Sequence, residues 1–184
     1  MKDFKAKTVV ITGASSGIGR ALAYEFARRG SNVVLGARHE EQLSEIVDDI
    51  VSRGGNAVWK RTDVTLEEDC KGLIAKAADT YGGIDIMVCN AGISMRALFD
   101  DVQLDVLGRL MDVNFWGTVY CVKHALPFIQ RSKGSIVGIS SVAGMHGLTG
   151  RTGYSASKYA MTGFLETIRI QNLKKGVHVM ICHL

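Results

Sequence analysis

Tyr154 and Lys158 stand four residues apart in a stretch, Tyr154 to Lys174, that reads as one long helix. At that spacing the phenol and the ammonium share a helical face. A free tyrosine titrates near pH ~10 and exchanges protons reluctantly at neutrality. A fixed positive charge beside it favours the phenolate and suits it to general acid–base work. Such pairs are common, and taken alone a helix cap at Tyr154 with a solvated Lys158 is the favoured reading. The rest of the chain decides between these readings.

The elements that must position the pair begin at Thr8–Ile11, four consecutive β-formers without alternation. Such a run suggests a strand buried on both faces, as in a parallel sheet. It meets Thr12-Gly13-Ala14-Ser15-Ser16-Gly17-Ile18-Gly19 and then a helical stretch, Arg20–Arg29. Strand, glycine turn and helix make a phosphate cradle, because glycines admit a pyrophosphate and the helix N-terminus offers free N–H groups. The Gly13-x-x-x-Gly17-x-Gly19 spacing departs from the common GxGxxG fingerprint. A tight turn alone is the plainer alternative; the position between strand and helix favours binding.

A second strand, Asn32–Gly36, ends at Ala37-Arg38. In dinucleotide folds an acid at this place bonds the ribose 2′-hydroxyl, whereas an arginine accommodates a 2′-phosphate. Ala37 followed by Arg38 therefore favours NADP over NAD; the alternative is a solvated Arg38 beside Glu40 and Glu41. Glu40–Arg53 reads as an amphipathic helix, and Ala57-Val58-Trp59 opens a third strand ending at Asp63-Val64. Leu66–Tyr81 is another helix, and Ile84–Cys89 a fourth strand running into Asn90-Ala91-Gly92. A long helix is expected from Leu104 to about Arg131, carrying Asn114 inside an apolar run. A buried Asn needs partners, either neighbouring backbone or a water in a proton relay. Ser135–Ile139 makes a fifth strand ending at Ser140-Ser141, and Val177–Cys182 a sixth. This alternation implies βαβ units, a parallel doubly wound sheet, and a ligand site at the strands' carboxyl ends. Gly13–Gly19, Arg38, Asp63 and Asn90–Gly92 all follow strand ends and converge there.

With 184 residues, 47% apolar and 22% charged, the chain suits one soluble domain over residues 1–184. Its net charge of +4 comes from scattered groups such as Lys2/Lys5/Lys7 and Lys174/Lys175, so no nucleic-acid partner is expected. No stretch approaches the length of a membrane span. Cys70, Cys89, Cys121 and Cys182 form no CxxC pair; Cys89 and Cys182 lie in apolar runs that suit buried thiols. A reducing cytoplasm is the expected compartment. The five histidines, read as surface or loop residues, show no ligand spacing with the cysteines, and no metal is expected.

Taken together, these residues resemble the short-chain dehydrogenase/reductase family over the whole length. The resemblance rests on Thr12-Gly13-x-x-x-Gly17-x-Gly19, Asp63-Val64, Asn90-Ala91-Gly92, Asn114, Ser140-Ser141 and Tyr154-x-x-x-Lys158. It implies a Rossmann-type, three-layer α/β/α fold and a nicotinamide-dependent oxidoreductase acting on carbonyls and alcohols. Tyr154 would be the general acid in reduction or base in oxidation, and Lys158 would lower its pKa and bond the nicotinamide ribose. The family's serine lies thirteen residues before its tyrosine, which picks Ser141 to hold the substrate carbonyl. Asn114 would keep a water linking Lys158 to solvent. Gly13, Ser15, Ser16, Gly17, Ile18 and Gly19 would cradle pyrophosphate, Asp63 and Val64 the adenine, and Asn90, Ala91 and Gly92 the adenosine side. Ser15 and Arg38 would face the 2′-phosphate of NADP(H).

The family continues past this last strand into a Pro-Gly turn, a substrate-covering segment and a further strand. Here the sequence stops at His183-Leu184, so it is expected to be incomplete at its C-terminus. Ser94, Met95, Ala143, Met145 and His146 remain as pocket candidates and hint at a lipophilic or medium-sized carbonyl compound. A homodimer or homotetramer through the helices holding Asn114 and Tyr154 is implied, with Phe115, Trp116, Tyr120, Phe164 and Leu165 as interface or core. The rival function is a non-catalytic NADP(H)-binding sensor on the same fold.

Overall fold

The computed structural model describes residues 4–184; Lys2 of the N-terminal lysine group lies outside the described residues. The strands are β1 (Thr8–Thr12), β2 (Asn32–Ala37), β3 (Asn56–Arg61), β4 (Ile86–Cys89), β5 (Ser135–Ser140) and β6 (His178–His183). Between them run α1 (Gly17–Arg28), α2 (Glu40–Ser52), α3 (Glu67–Tyr81), α4 (Leu104–Met111), α5 (Gly117–Ser132) and α6 (Thr152–Asn172). The six strands form one parallel sheet in the order β3-β2-β1-β4-β5-β6. The order reverses between β1 and β4, which opens a crevice at their carboxyl ends.

The unbroken apolar runs of β1, β2 and β4 are buried because helices cover both faces. On one face Val10, Val34, Met87, Cys89 and Ile136 pack with Leu73 and Ile74 of α3, Val122 and Ile129 of α5, and Met161 and Leu165 of α6. On the other, Val9, Ile11, Val33, Leu35, Ile86 and Val88 meet Ala23 of α1 and Leu43, Ile46 and Ile50 of α2. The result is a three-layer α/β/α, Rossmann-type domain. No helix among the described residues is long and apolar enough to cross a membrane.

Several boundaries differ from the sequence expectation for identifiable reasons. The third strand ends at Arg61: Thr62 still donates to Ala37, but the Asp63 N–H turns to the Asp69 carboxylate at 2.9 Å. The long helix expected from Leu104 is interrupted by a π-helical turn over Asp112–Trp116. That turn surrounds Asn114, whose side chain is drawn to Ile93. The last long helix starts at Thr152, so Tyr154 sits inside its first turn rather than opening it. Cys70, Cys89 and Cys121 are buried, whereas Cys182 is only half-buried on the edge strand β6. Burial, with Cys70 nearby, pushes the Cys89 thiol up to about 12, which leaves it unreactive. His124 lies on α5 rather than in a loop, partly exposed, and pairs with Glu67 at 3.0 Å. Leu165 belongs to the core, while Trp116 is 43% exposed and stacks on Tyr120.

Candidate active site

The ends of β1 and β4 are tied together by Thr12. Its hydroxyl accepts the N–H groups of Asn90 and Ala91, each at 3.1 Å, while the Asn90 amide donates back to the Thr12 and Gly13 carbonyls. This bracket brings the turn after β1 against Asn90-Ala91-Gly92. Gly13 has φ +64 and a Cβ there would lie 2.8 Å from the Ala91 Cα, so only glycine fits. A Cβ on Gly19 would lie 2.4 Å from the Gly13 carbonyl oxygen, so α1 can approach the turn only through glycine. The first N–H to turn back into α1 is that of Arg20, bonded to Ser16 at 3.2 Å. The preceding N–H groups of the helix have no intrahelical acceptor and present a partial positive charge to the crevice.

A cleft of about 340 Å³ occupies that crevice. Gly13, Ser15, Ser16, Gly17, Ile18, Arg38, Asp63, Val64, Asn90, Ala91 and Gly92, all expected from the sequence, line it. Gly19 lies beneath the turn rather than on the wall. Asp63 is held by the Thr65 N–H and hydroxyl, both bonding the same carboxylate oxygen. Arg38 is exposed and has no acidic partner among the described residues, unlike Arg61, which reaches Glu40 and Asp69. These residues fit a dinucleotide cofactor: a glycine cradle, a helix N-terminus, an exposed guanidinium and a carboxylate on one cleft wall. The wall also contains Ala37, His39, Thr62, Ile93 and Val113, which sequence reasoning did not select. Ala37, His39 and Ile93 adjoin selected residues, so the strand ends hinted at them. Thr62 likewise precedes Asp63 at a strand end, whereas Val113, beside Asn114 in the helical stretch, reaches the cleft only through folding.

Beyond Gly92 the cleft meets the second cluster. A Cβ on Gly92 would lie 3.2 Å from Asn114 Oδ1 and 3.6 Å from Lys158 Nζ. Lys158 is 4% exposed; its ammonium donates to the Ile139 carbonyl at 2.7 Å and lies 5.8 Å from the centre of the Tyr154 ring. Burial lowers the Lys158 pKa to about 8. The Arg151 guanidinium lies 5.9 Å from the same ring and hydrogen-bonds Ser94. The Tyr154 hydroxyl has no hydrogen-bond partner among the described residues, so it is available to a ligand.

Asn114 is fully buried, with both amide hydrogens and its carbonyl engaged by Ile93 and Ser157. The Asn114 main-chain carbonyl accepts from the Thr118 hydroxyl at 3.1 Å, and each of the two carbonyl oxygens of Asn114 has a second lone pair for a further donor. Ser141 follows β5; its hydroxyl accepts from the Ala143 N–H and donates to the Leu184 carbonyl, both at 3.2 Å. Of the pocket candidates, Met95 and Ala143 are buried, whereas Ser94, Met145 and His146 are exposed. Ser155 has a buried hydroxyl without a partner among the described residues. An unmade hydrogen bond of this kind costs about 1–3 kcal/mol. Ser155→Ala is therefore expected to raise thermal stability by roughly 1 kcal/mol, read as a Tm increase of ~2–4 °C. A lower Tm would show that the hydroxyl is satisfied in solution.

Residues 7–184 match the short chain dehydrogenase family. The chain belongs to the short-chain dehydrogenase/reductase (SDR) family. As an SDR it is 40% identical over 173 residues to the 11-beta-hydroxysteroid dehydrogenase A of Sesamum indicum, covering 92% of this chain and 49% of that protein. It is 37% identical over 176 residues to an uncharacterized oxidoreductase of Listeria monocytogenes, covering 95% and 71%. Among solved structures, the alcohol dehydrogenase of the archaeon Thermococcus sibiricus complexed with 5-hydroxy-NADP aligns with a TM-score of 0.94 at 27% identity, covering 97% of this chain and 76% of that one. An SDR of Burkholderia phymatum in complex with NAD aligns with a TM-score of 0.94 at 29% identity, covering 98% and 66%. The chain spans about half the length of the hydroxysteroid dehydrogenase relatives it matches.

Proposed function

We propose that this SDR is an NADP(H)-dependent oxidoreductase that interconverts a lipophilic carbonyl compound and its alcohol. The observation that carries this reading is the free Tyr154 hydroxyl beside the desolvated Lys158 ammonium, reached through Gly92 from the dinucleotide-shaped cleft. The nicotinamide cofactor supplies or accepts the hydride when bound. Tyr154 delivers a proton to the carbonyl oxygen in reduction and removes it in oxidation. The Lys158 ammonium offsets the negative charge that forms on the phenol oxygen during that transfer. Ser141 fixes the substrate, whose carbonyl takes the place of Leu184 as acceptor of the serine hydroxyl. Buried as it is, Lys158 exerts its charge at low local dielectric, where it acts more strongly than in water.

The loops on the Tyr154 side support a lipophilic substrate. Residues 93–104 and 142–151 are joined by the Ala97 N–H to Gly150 carbonyl bond, and they expose Leu98, Phe99, Met145 and Leu148. The hydroxysteroid dehydrogenase relatives point the same way. Arg38, unpaired beside Ser15 and His39 on the cleft wall, supports the choice of NADP.

The test is a panel of hydroxysteroids, aliphatic ketones and small aldehydes, run with NADP(H) and NAD(H) in parallel. Turnover with NADPH is expected, faster for the apolar substrates. Cofactor binding without turnover on any member would favour a sensor instead. Arg38→Ala is expected to weaken NADPH binding by about 10- to 100-fold, the worth of a charge-assisted phosphate contact, with NADH changed by less than about threefold. Equal losses for both cofactors would remove the 2′-phosphate role.

A further inference from the structure

Ser157 stands between the two clusters of the site, and its hydrogen bonds join them. It is fully buried. Its hydroxyl accepts from the Asn114 amide at 2.9 Å and donates to the main-chain carbonyl of Tyr154 at 2.8 Å. The other amide hydrogen of Asn114 goes to the Ile93 carbonyl at 2.9 Å, and Asn114 Oδ1 accepts the Ile93 N–H at 2.8 Å. Each polar atom of this chain is used, and the chain runs from the cleft wall at Ile93 to the backbone of the residue carrying the phenol.

We propose that Ser157 is a positioning residue that couples the cofactor-side loop at Gly92-Ile93 to the Tyr154 turn of α6. The inference rests on the oxidoreductase reading given above. Without the Ser157 hydroxyl one N–H of the fully buried Asn114 amide is stranded. Any reorientation of the amide towards another acceptor releases one or both of its bonds to Ile93, the only anchors it then has among the described residues. Gly92, where a Cβ would meet both Asn114 Oδ1 and Lys158 Nζ, moves with Ile93. The displacement therefore falls between cofactor and proton donor, where misplacement by about 1 Å lowers rate by about 100-fold. The π-helical turn at Asp112–Trp116 sets Asn114 against both partners, which accounts for its place in an otherwise regular helix.

The experiment compares wild type, Ser157→Ala, Ser157→Cys, Ser157→Thr and, as a neighbouring buried serine outside the chain of bonds, Ser155→Ala. Turnover is measured on the best substrate of the panel, with cofactor Kd, Tm and amide hydrogen exchange at Ile93 alongside. Ser157→Ala and Ser157→Cys are expected to lower kcat by about 10- to 100-fold with substrate KM within threefold. Both should speed Ile93 exchange by about 10-fold or more, a local opening without global unfolding. Ser157→Thr, which keeps the hydroxyl, should restore both properties, and Ser155→Ala should leave them alone. The cysteine variant, closest in size to serine, carries the comparison if the alanine variant does not fold. A kcat within twofold of wild type in the hydroxyl-free variants, or equal losses in Ser157→Thr and Ser157→Ala, overturns the proposal. A wild-type chain that turns over nothing on the panel overturns the oxidoreductase reading instead. Exchange at Ile93 then still decides whether Ser157 holds the loop.

Discussion

Tyr154→Phe is expected to lower kcat by about 1,000-fold while leaving cofactor Kd within about twofold of wild type. The substitution removes one oxygen atom and retains the ring. The cations on either side in sequence, Arg151 at 5.9 Å and Lys158 at 5.8 Å from the ring centre, keep their aromatic partner. The lost hydroxyl has no hydrogen bond among the described residues, so folding should be unaffected and Tm should stay within ~2 °C. The cleft wall does not include Tyr154, which is why binding should survive. A steady-state assay with a parallel fluorescence titration of cofactor measures both quantities. Turnover above about a tenth of wild type would remove Tyr154 from the proton transfer and leave the charge of Lys158 without its proposed purpose.

Lys158→Met is expected to act in opposite directions on activity and stability. Activity should fall by about 100-fold or more, because the positive charge beside the phenol is gone. Stability at pH 7 should rise. Burial holds the Lys158 ammonium at about 8, below the ordinary lysine value of 10.5. Between those values the unfolded chain binds a proton that the folded chain has released, so stability increases with pH from about 8 to 10.5. Below pH 8 the folded protein bears the full penalty of the buried charge, on the order of 3 kcal/mol. Methionine keeps much of the apolar stem and removes the charge, but leaves the Ile139 carbonyl without its donor, which returns about 1 kcal/mol. The net expectation is a gain of ~1–2 kcal/mol at pH 7, or a Tm rise of roughly 3–6 °C, vanishing by about pH 9–9.5 and reversing to a loss of about 1 kcal/mol at pH 10.5, where only the missing hydrogen bond counts. Thermal unfolding of both proteins across that pH range checks the sign. A wild-type curve flat between pH 8 and 10.5, or a variant less stable at pH 7, would show that water reaches the ammonium.

Much of the fold is legible in the amino-acid order because its signals are local. The runs Thr8–Ile11, Asn32–Gly36 and Ile84–Cys89 are apolar apart from Thr8, Asn32 and Asp85, without the alternation of a half-exposed strand, as a parallel sheet covered on both faces requires. The glycine turn between the first strand and its helix, and the four-residue step from Tyr154 to Lys158, are likewise properties of neighbours in sequence. The cleft wall follows from them, since residues after the carboxyl ends of parallel strands must gather on one edge.

What the tertiary structure alone decides is how distant residues share atoms. No local pattern announces that the Thr12 hydroxyl receives two N–H groups from Asn90 and Ala91, or that Asn114 spends its whole amide on Ile93 and Ser157. The π-helical turn, the buried ammonium of Lys158 and the coupling role proposed for Ser157 belong to the same class. Periodicity reports which face of an element is apolar, and that is a property of consecutive residues. Desolvation and hydrogen-bond saturation depend on what packs across the space between elements, and so they come into being only when the chain has folded.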